Sequence, residues 1–268
     1  MSGTRSLDGP EFRAQRLQDL ERLPAFLDHA FADLEAEARG EVRLASEEVF
    51  ANIYAHGYRG QEGPVRIQVN RSPGRITVSI TDEAPAFDPA SAPAADTQSE
   101  LSGRSVGGLG LHLVHRVMDE VGWAPGAQGG NVYLLVKRID LSAAGLSSQA
   151  NKGNTHMDIE LKPGEHAAVV VISGSVDGLT ADRLLGTLQG YVEAGQTRLV
   201  ADLAGVLYTS SAGLRALLAT VKQARQGGGD LRLASINPPV FKVLEMSGFT
   251  TIMKCYDDVA SAVESYAG

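Results

Sequence analysis

Apolar and polar positions along this chain follow two periods, and the switches between them outline its elements. From Pro24 to Ala36 and from Val42 to His56 apolar residues recur every three or four positions, which predicts two helices. "VRIQVN" and "RITVSITD" then alternate with period two and predict strands. A polar stretch from Pro89 to Val106 follows as a long loop. A helix is predicted near Gly108–Val121 and a strand at "NVYLLVK". Further on, "MDIEL" and "AAVVVIS" predict strands and Leu179–Glu193 a helix. They are followed by strand "RLVADL", a helix after Ser211, strand "LRLAS", a helix near Pro238–Met246 and a last strand–helix pair. That second alternation predicts a sheet with helices packed on it.

Between the two patterns lies "LSAAGLSSQANKGNTH", Leu141 to His156, which has no sustained apolar period. Its Ser, Ala, Gly and Asn content predicts a linker. The expected domains are therefore 1–140 and 157–268, joined by 141–156. The two halves differ in pattern, so no internal repeat is expected.

Composition narrows the function classes. The chain has 268 residues, 43% apolar and 21% charged, with a formal charge of −8. Neither half is basic, which argues against direct nucleic-acid binding. Its apolar runs are too short to span a bilayer, and no leader pattern opens it. The single Cys255 excludes an internal disulfide framework and a Cys-rich zinc site. A soluble cytoplasmic protein is expected, with no membrane contact.

Three stretches of the first half carry candidate chemistry. In "ASEEVFANIYAHGY", Glu48, Asn52 and His56 fall at i, i+4 and i+8, on one face of a regular helix. An amide oxygen there can ligate Mg²⁺, and a carboxylate one turn away can accept a proton from an attacking hydroxyl. The alternative is a solvated helix face. In "ITVSITDEAPAFDP" a β-rich run ends at Asp82. That carboxylate can accept a hydrogen bond from a ligand amine such as adenine N6, or serve only as a local backbone acceptor in a turn. In "GRSVGGLGLHLVHRVMDEV", Gly107, Gly108 and Gly110 open an amphipathic helix. They form either a phosphate cradle or a hinge. The stretch lacks the Gly-Lys-Ser/Thr of a Walker loop and fits the dinucleotide fingerprint poorly.

Taken in order, the three resemble the boxes of the GHKL ATPase superfamily, and in detail those of the anti-sigma-factor serine kinases, over most of Phe12–Arg138. The resemblance implies Glu48 as general base, Asn52 as Mg²⁺ ligand, Asp82 as adenine contact, and Gly107, Gly108 and Gly110 at the phosphates. It makes Pro89–Val106 an ATP lid from which Arg104 reaches a phosphate. Where the family carries glycine two residues after the aspartate, this chain has Ala84, whose methyl is expected to crowd the adenine pocket. No phosphoacceptor-histidine helix precedes these boxes, so a sensor histidine kinase is not expected.

In the second half, "VVVISGSVD", "LVADLAGVLYTSSAGLRALL" and "GGGDLRLASINPPVFKVLEMSGF" resemble a STAS domain of the anti-anti-sigma type over Met157–Ala267. Aligned on Gly213 and Leu214, the family's phosphorylated serine is Ser211. Ser210 replaces the usual aspartate, and Ser210 and Thr209 are rival acceptors. A phosphate on Ser211 would sit at a helix start, where the dipole and free N–H groups favour it. Otherwise Ser210 or Ser211 serves as an N-cap.

The fold class expected is α/β (α+β): a GHKL-type α/β sandwich, then a STAS-type mixed sheet with packed helices. The expected function is a Mg·ATP-dependent protein-serine kinase fused to its STAS substrate or antagonist, in a bacterial partner-switching circuit. The resemblance implies a sigma factor or another regulator as partner, a STAS domain in cis or in trans, and a homodimer as in related kinases. Two rivals stay open. One is an ATP-gated binding switch without phosphoryl transfer. The other is a kinase acting on a separate STAS protein while the fused domain tethers or inhibits it.

Overall fold

Five strands of the first half form one antiparallel sheet. They are β1 (Glu11–Ala14), β2 (Val65–Ser72), β3 (Arg75–Asp82), β4 (Glu120–Pro125) and β5 (Asn131–Arg138), in the order β1-β2-β3-β5-β4. The computed structural model of the chain describes residues 9–91, 94–99, 101, 107–127, 129–139 and 157–267. These fall into two compact units. One is drawn from Met1–Pro93 and Gly110–Asn151, the other from Ala94–Leu109 and Lys152–Gly268.

The alternation read in the sequence becomes the two faces of the first sheet. Val65, Ile67 and Val69 of β2 and Ile76, Val78 and Ile80 of β3 are buried in step, and Tyr133 and Leu135 of β5 join them. Helices α1 (Leu23–Ala30), α2 (Ala36–Asn52) and α3 (Leu109–Val117) supply further buried side chains, among them Leu27, Val49, Phe50, Leu113 and Val114. α2 packs on β3 and β5. Each fully buried apolar side chain contributes about 1.5–3 kcal/mol. The next position on the buried face of β3 is Asp82, which gains nothing of this kind. Its register partner on β5 is Asn131. The buried row therefore ends in a polar pair.

Several boundaries differ from those expected. The first helix stops at Ala30 rather than Ala36, and α2 begins at Ala36 rather than Val42. α2 does not continue regularly to His56 but ends in a π-helical turn, Ile53–Gly57. α3 stops at Val117, and Glu120–Pro125 is a strand that was expected to be partly helix. β1 was not expected at all. β1 and β4 are the two edge strands of the sheet. Edges tolerate the short length of one and the Gly122 and Pro125 of the other.

The second unit is a mixed sheet. Its elements are β6 (Asp158–Lys162), β7 (Ala168–Val176), α4 (Ala181–Glu193), β8 (Arg198–Thr209), α5 (Ser211–Gln226), β9 (Asp230–Ala234), α6 (Pro238–Met246), β10 (Cys255–Tyr256) and α7 (Val259–Glu264). The strand order is β10-β9-β8-β7-β6, parallel except for β6 with β7. Leu203 and Val206 of β8 meet Leu184 of α4, Leu217 of α5 and Leu244 of α6. Val200 and Ala234 pack instead with Ala262 of α7 and Tyr266. Helices thus cover both faces. β8 runs six residues past the expected Leu203. Beyond β9 its open edge is covered by Asn237 Nδ2, which donates to the carbonyls of Ala204 at 2.9 Å and Val206 at 2.8 Å. This carries Thr209 to the start of α5. Together the two units are the expected α/β (α+β) architecture.

Candidate functional site

Asp82 ends β3 on the buried face and is 6% exposed. Its Oδ1 accepts two hydrogen bonds, from the Ala84 N–H at 2.8 Å and from Asn131 Nδ2 at 2.9 Å. Its Oδ2 is buried and, among the described residues, meets no donor. Oδ1 is the local turn acceptor, and Oδ2 is left for something else. Burial pushes the Asp82 carboxyl above its ordinary value, against the Asn131 amide and the Ala84 N–H, which pull it down. A buried carboxylate oxygen without a donor is costly, and a ligand donor would remove that cost.

The turn after Asp82 is held by side chains from distant segments. The Glu83 N–H donates to Tyr58 Oη at 2.9 Å, and Tyr58 Oη donates to the Pro64 carbonyl at 2.8 Å. The Phe87 N–H donates to Asn131 Oδ1 at 2.8 Å, and Trp123 Nε1 donates to the same oxygen at 3.0 Å. Asn131 is 2% exposed. Sequence reasoning missed it. The only local sign was "GG" before a strand. Gly130 has φ +78°, and a Cβ there would lie 1.9 Å from the Asp82 carbonyl oxygen. Only glycine lets the chain enter β5 this close to Asp82.

Ala84 lies in the turn after Asp82. It is 1% exposed, and its methyl lies against the Cα of Gly57, where an added Cβ would come within 2.9 Å. The methyl that departs from the family pattern is accommodated by a glycine in the π-helical turn. The same contact brings the end of the α2 segment against the Asp82 turn.

Glu48 and Asn52 both lie on α2. Glu48 is 4% exposed and Asn52 half-buried. The solvated-face alternative therefore fails for Glu48. His56 does not share this environment. It is exposed within the π-helical turn, where four residues no longer make the α-helical advance. Gly107 and Gly108 directly precede α3, Gly108 with φ +75°, and Gly110 lies within its first turn. Arg104 and the linker 141–156 lie outside the described residues, as does part of the lid. Among the described residues no cluster of three His, Cys, Asp or Glu side chains could hold a metal by itself. No helix among them is long and apolar enough to cross a membrane.

In the second unit Thr209 ends β8, Ser210 is the N-cap of α5 and Ser211 its first residue. All three are buried, at 4%, 4% and 1% exposure. The Ser210 N–H donates to the Val176 carbonyl at 2.8 Å. Its side chain makes no capping bond, and its Oγ is buried without a partner among the described residues. The capping alternative is therefore not realised by Ser210.

Comparison with known proteins finds two matching families. Residues 15–137 match the family model of the histidine kinase-like ATPase domain, and residues 158–262 that of the STAS domain. BtrV of Bordetella bronchiseptica, which carries the name anti-sigma factor antagonist, is 36% identical over 98 residues, covering 37% of this chain and 84% of that protein. The anti-sigma F factor antagonist of Paenibacillus polymyxa is 29% identical over 110 residues, covering 40% and 94%. Among solved structures, an anti-sigma factor antagonist from Mycobacterium paratuberculosis aligns with TM-score 0.40 and 22% identity, covering 43% of this chain and 97% of that one.

Proposed function

We propose a function from one premise: this chain belongs to the anti-sigma factor antagonist family and carries a histidine kinase-like ATPase domain ahead of its STAS domain. It is a partner-switching regulator. The finer reading is a protein-serine kinase that uses Mg·ATP and is fused to its own STAS substrate or antagonist. The observation that carries it is the buried Asp82 Oδ2 without a donor, at the end of β3. An adenine amine is the donor it fits.

The residues divide the work as follows. Asp82 accepts from the base. Gly107, Gly108 and Gly110 offer backbone N–H groups to phosphates at the start of α3, with Arg104 from the lid. Asn52 would hold Mg²⁺ through its amide oxygen. Mg²⁺, when bound, would supply neutralisation of the phosphate charge. Glu48 takes the proton of Ser211 as its Oγ bonds to the γ-phosphorus and ADP leaves. Ser210 and Thr209 are the rival acceptors. The names of the relatives carry over as a partner of the anti-sigma or kinase type, with a sigma factor or another regulator beyond it. The proposed organisation is 1–140, 141–156 and 157–268, cytoplasmic, with transfer inside one chain or across a homodimer.

A second reading is favoured by the burial of Thr209, Ser210 and Ser211. A hydroxyl hidden from solvent is a poor acceptor unless the turn opens. ATP would then gate partner docking with no transfer. Mass spectrometry of the full chain after incubation with Mg·ATP separates the two. Kinase action places one phosphate on Ser211, absent in Ser211→Ala. In Glu48→Gln it slows transfer by about 10²-fold, the low end for a general base in a reaction governed by positioning. ATP binding without any added phosphate would leave the gated switch.

A further inference from the structure

Asn131 sits too deep and is too fully bonded to be a ligand contact itself. Its amide orientation is fixed by chemistry. The Phe87 N–H and Trp123 Nε1–H are obligate donors, so the atom they meet is the oxygen. Nδ2 must then face Asp82, to whose Oδ1 it donates at 2.9 Å, and its second hydrogen is directed to the Pro85 carbonyl at 3.2 Å. The Ala84 N–H, another obligate donor, also ends on Asp82 Oδ1. With Asn131 Nδ2 and Ala84 N–H on it, Oδ1 is occupied. Oδ2 remains, buried and without a donor among the described residues.

We infer that Asn131 is the positioning residue for base recognition: it fixes the Asp82 carboxylate in one orientation and dedicates Oδ2 to accept from a 6-amino purine. This rests on the reading of Asp82 as the base contact and adds the residue that makes the contact selective. A purine with a carbonyl at position 6 would set oxygen against oxygen. Released from Asn131, the carboxylate can turn, and either of its oxygens can be met by water or by the Ala84 N–H. Discrimination between the two bases then falls. Asn131 also ties β3, β4 and the Asp82–Phe87 turn together, so loss of folding has to be separated from loss of selectivity.

The test is the ratio of dissociation constants for inosine triphosphate and ATP, measured by calorimetry on the full chain. Wild type is expected to prefer ATP by about tenfold or more, the worth of one buried acceptor left facing the wrong group. In Asn131→Leu the ratio should fall to about one. A merely structural role would weaken both nucleotides and leave the ratio unchanged. Asn131→Asp is the sharper variant, and it decides if Asn131→Leu does not fold. It keeps the acceptor for Phe87 and Trp123 and loses the donor toward Asp82 and toward the Pro85 carbonyl.

At pH 8 two carboxylates then face each other, and ATP should bind at least about tenfold more weakly than to wild type. On lowering the pH a shared proton takes the place of the amide hydrogen, so affinity should rise in Asn131→Asp while wild type shows no gain. The ionisable groups around Asp82 are Tyr58 and Tyr133, whose phenols burial holds above their ordinary value, and the adjacent Glu83. The phenols stay neutral across this range. A wild-type ratio retained in both variants overturns the role of Asn131 and leaves Asp82 as base contact intact. A wild type that binds both nucleotides equally, or neither, overturns the reading of Asp82 and this inference with it.

Discussion

Asp82 and Ser210 stand at corresponding points of the two units. Each follows a strand's last buried positions, each is itself buried, and each carries an oxygen that meets no partner among the described residues. Their surroundings differ. Asp82 is gripped by an amide from β5 and an N–H of its own turn, and that turn is pinned again by Tyr58. Ser210 is held through its backbone, its N–H donating to the Val176 carbonyl and its carbonyl accepting from the Leu214 N–H, while its hydroxyl meets no partner among the described residues. The first oxygen is a charged acceptor with its surroundings fixed in advance, as a binding site requires. The second is a neutral hydroxyl at the start of a sixteen-residue helix, where added negative charge would be welcomed. The two buried oxygens thus differ in how much of their surroundings is fixed by other side chains.

The largest effect should come from Asp82. Asp82→Asn replaces the acceptor with a donor or a neutral oxygen and should weaken ATP binding by about 10- to 100-fold, the worth of a hydrogen bond to a charged group. Titration calorimetry with and without EDTA checks it, since this contact does not involve metal. Stability should move the other way with pH. The folded-state value of Asp82 is raised, because burial disfavours the charge. A raised acid contributes stability below its unfolded value, near 3.8, and loses it as pH rises through the higher folded value. Without ATP, Asp82→Asn should therefore gain melting temperature relative to wild type near pH 7, and the gap should close toward pH 4. ATP affinity of wild type should fall over the same acid range, as Oδ2 takes a proton and stops accepting. An unchanged affinity in Asp82→Asn would leave the buried oxygen without a purpose and the two ends no longer distinct.

How much of this was legible depended on the distance between partners. Asp82 could be read because period-two alternation over "RITVSITD" puts it in the buried row, and the proline turn after it ends the strand. Glu48 and Asn52 could be read from helical spacing. The π-helical turn at Ile53–Gly57 could not, since the apolar spacing runs on through Ile53 and Tyr54 and no residue there marks the extra winding. Asn131 was invisible for a plain reason. Its partner lies 49 residues earlier, and only the β3–β5 register joins them. The missed strands β1 and β4 were edges, where local propensity is weak and neighbours decide. In the second unit the helix start at Ser211 was legible from its hydroxyls and the apolar period after it. The burial of those hydroxyls was not, because it depends on β8 running on to Thr209 beside β7.

A smaller effect should test how tightly the Asp82 end is packed. In Gly57→Ala the new methyl would come within 2.9 Å of the Ala84 Cβ, and neither atom is on a flexible side chain. Overpacking of this kind costs about 1–3 kcal/mol. Ala84→Gly should restore most of that loss, giving a coupling of at least about 1 kcal/mol in a double-mutant cycle followed by thermal melting. Additive effects would mean the turn yields freely and is not the rigid partner of the comparison.

The smallest expected effect belongs to Ser210. Replacing an N-cap serine with alanine usually costs about 1 kcal/mol, because the side chain accepts from a free N–H of the first turn. Here that bond is absent, and the hydroxyl is buried with no partner among the described residues. Leaving such a group unsatisfied is itself unfavourable by about 1–3 kcal/mol. Ser210→Ala should then be neutral or stabilise the start of α5 by up to about 1 kcal/mol. A global melt of a two-unit chain would blur so small a change. Native-state hydrogen exchange of the first-turn amides, Ala212 to Leu214, reads it locally. Slower or equal exchange in Ser210→Ala is the expected result. Exchange about fivefold faster or more, the equivalent of about 1 kcal/mol, would mean that Ser210 caps the helix in solution. The hydroxyl would then have a structural task of its own, and α5 would begin as an ordinary capped helix.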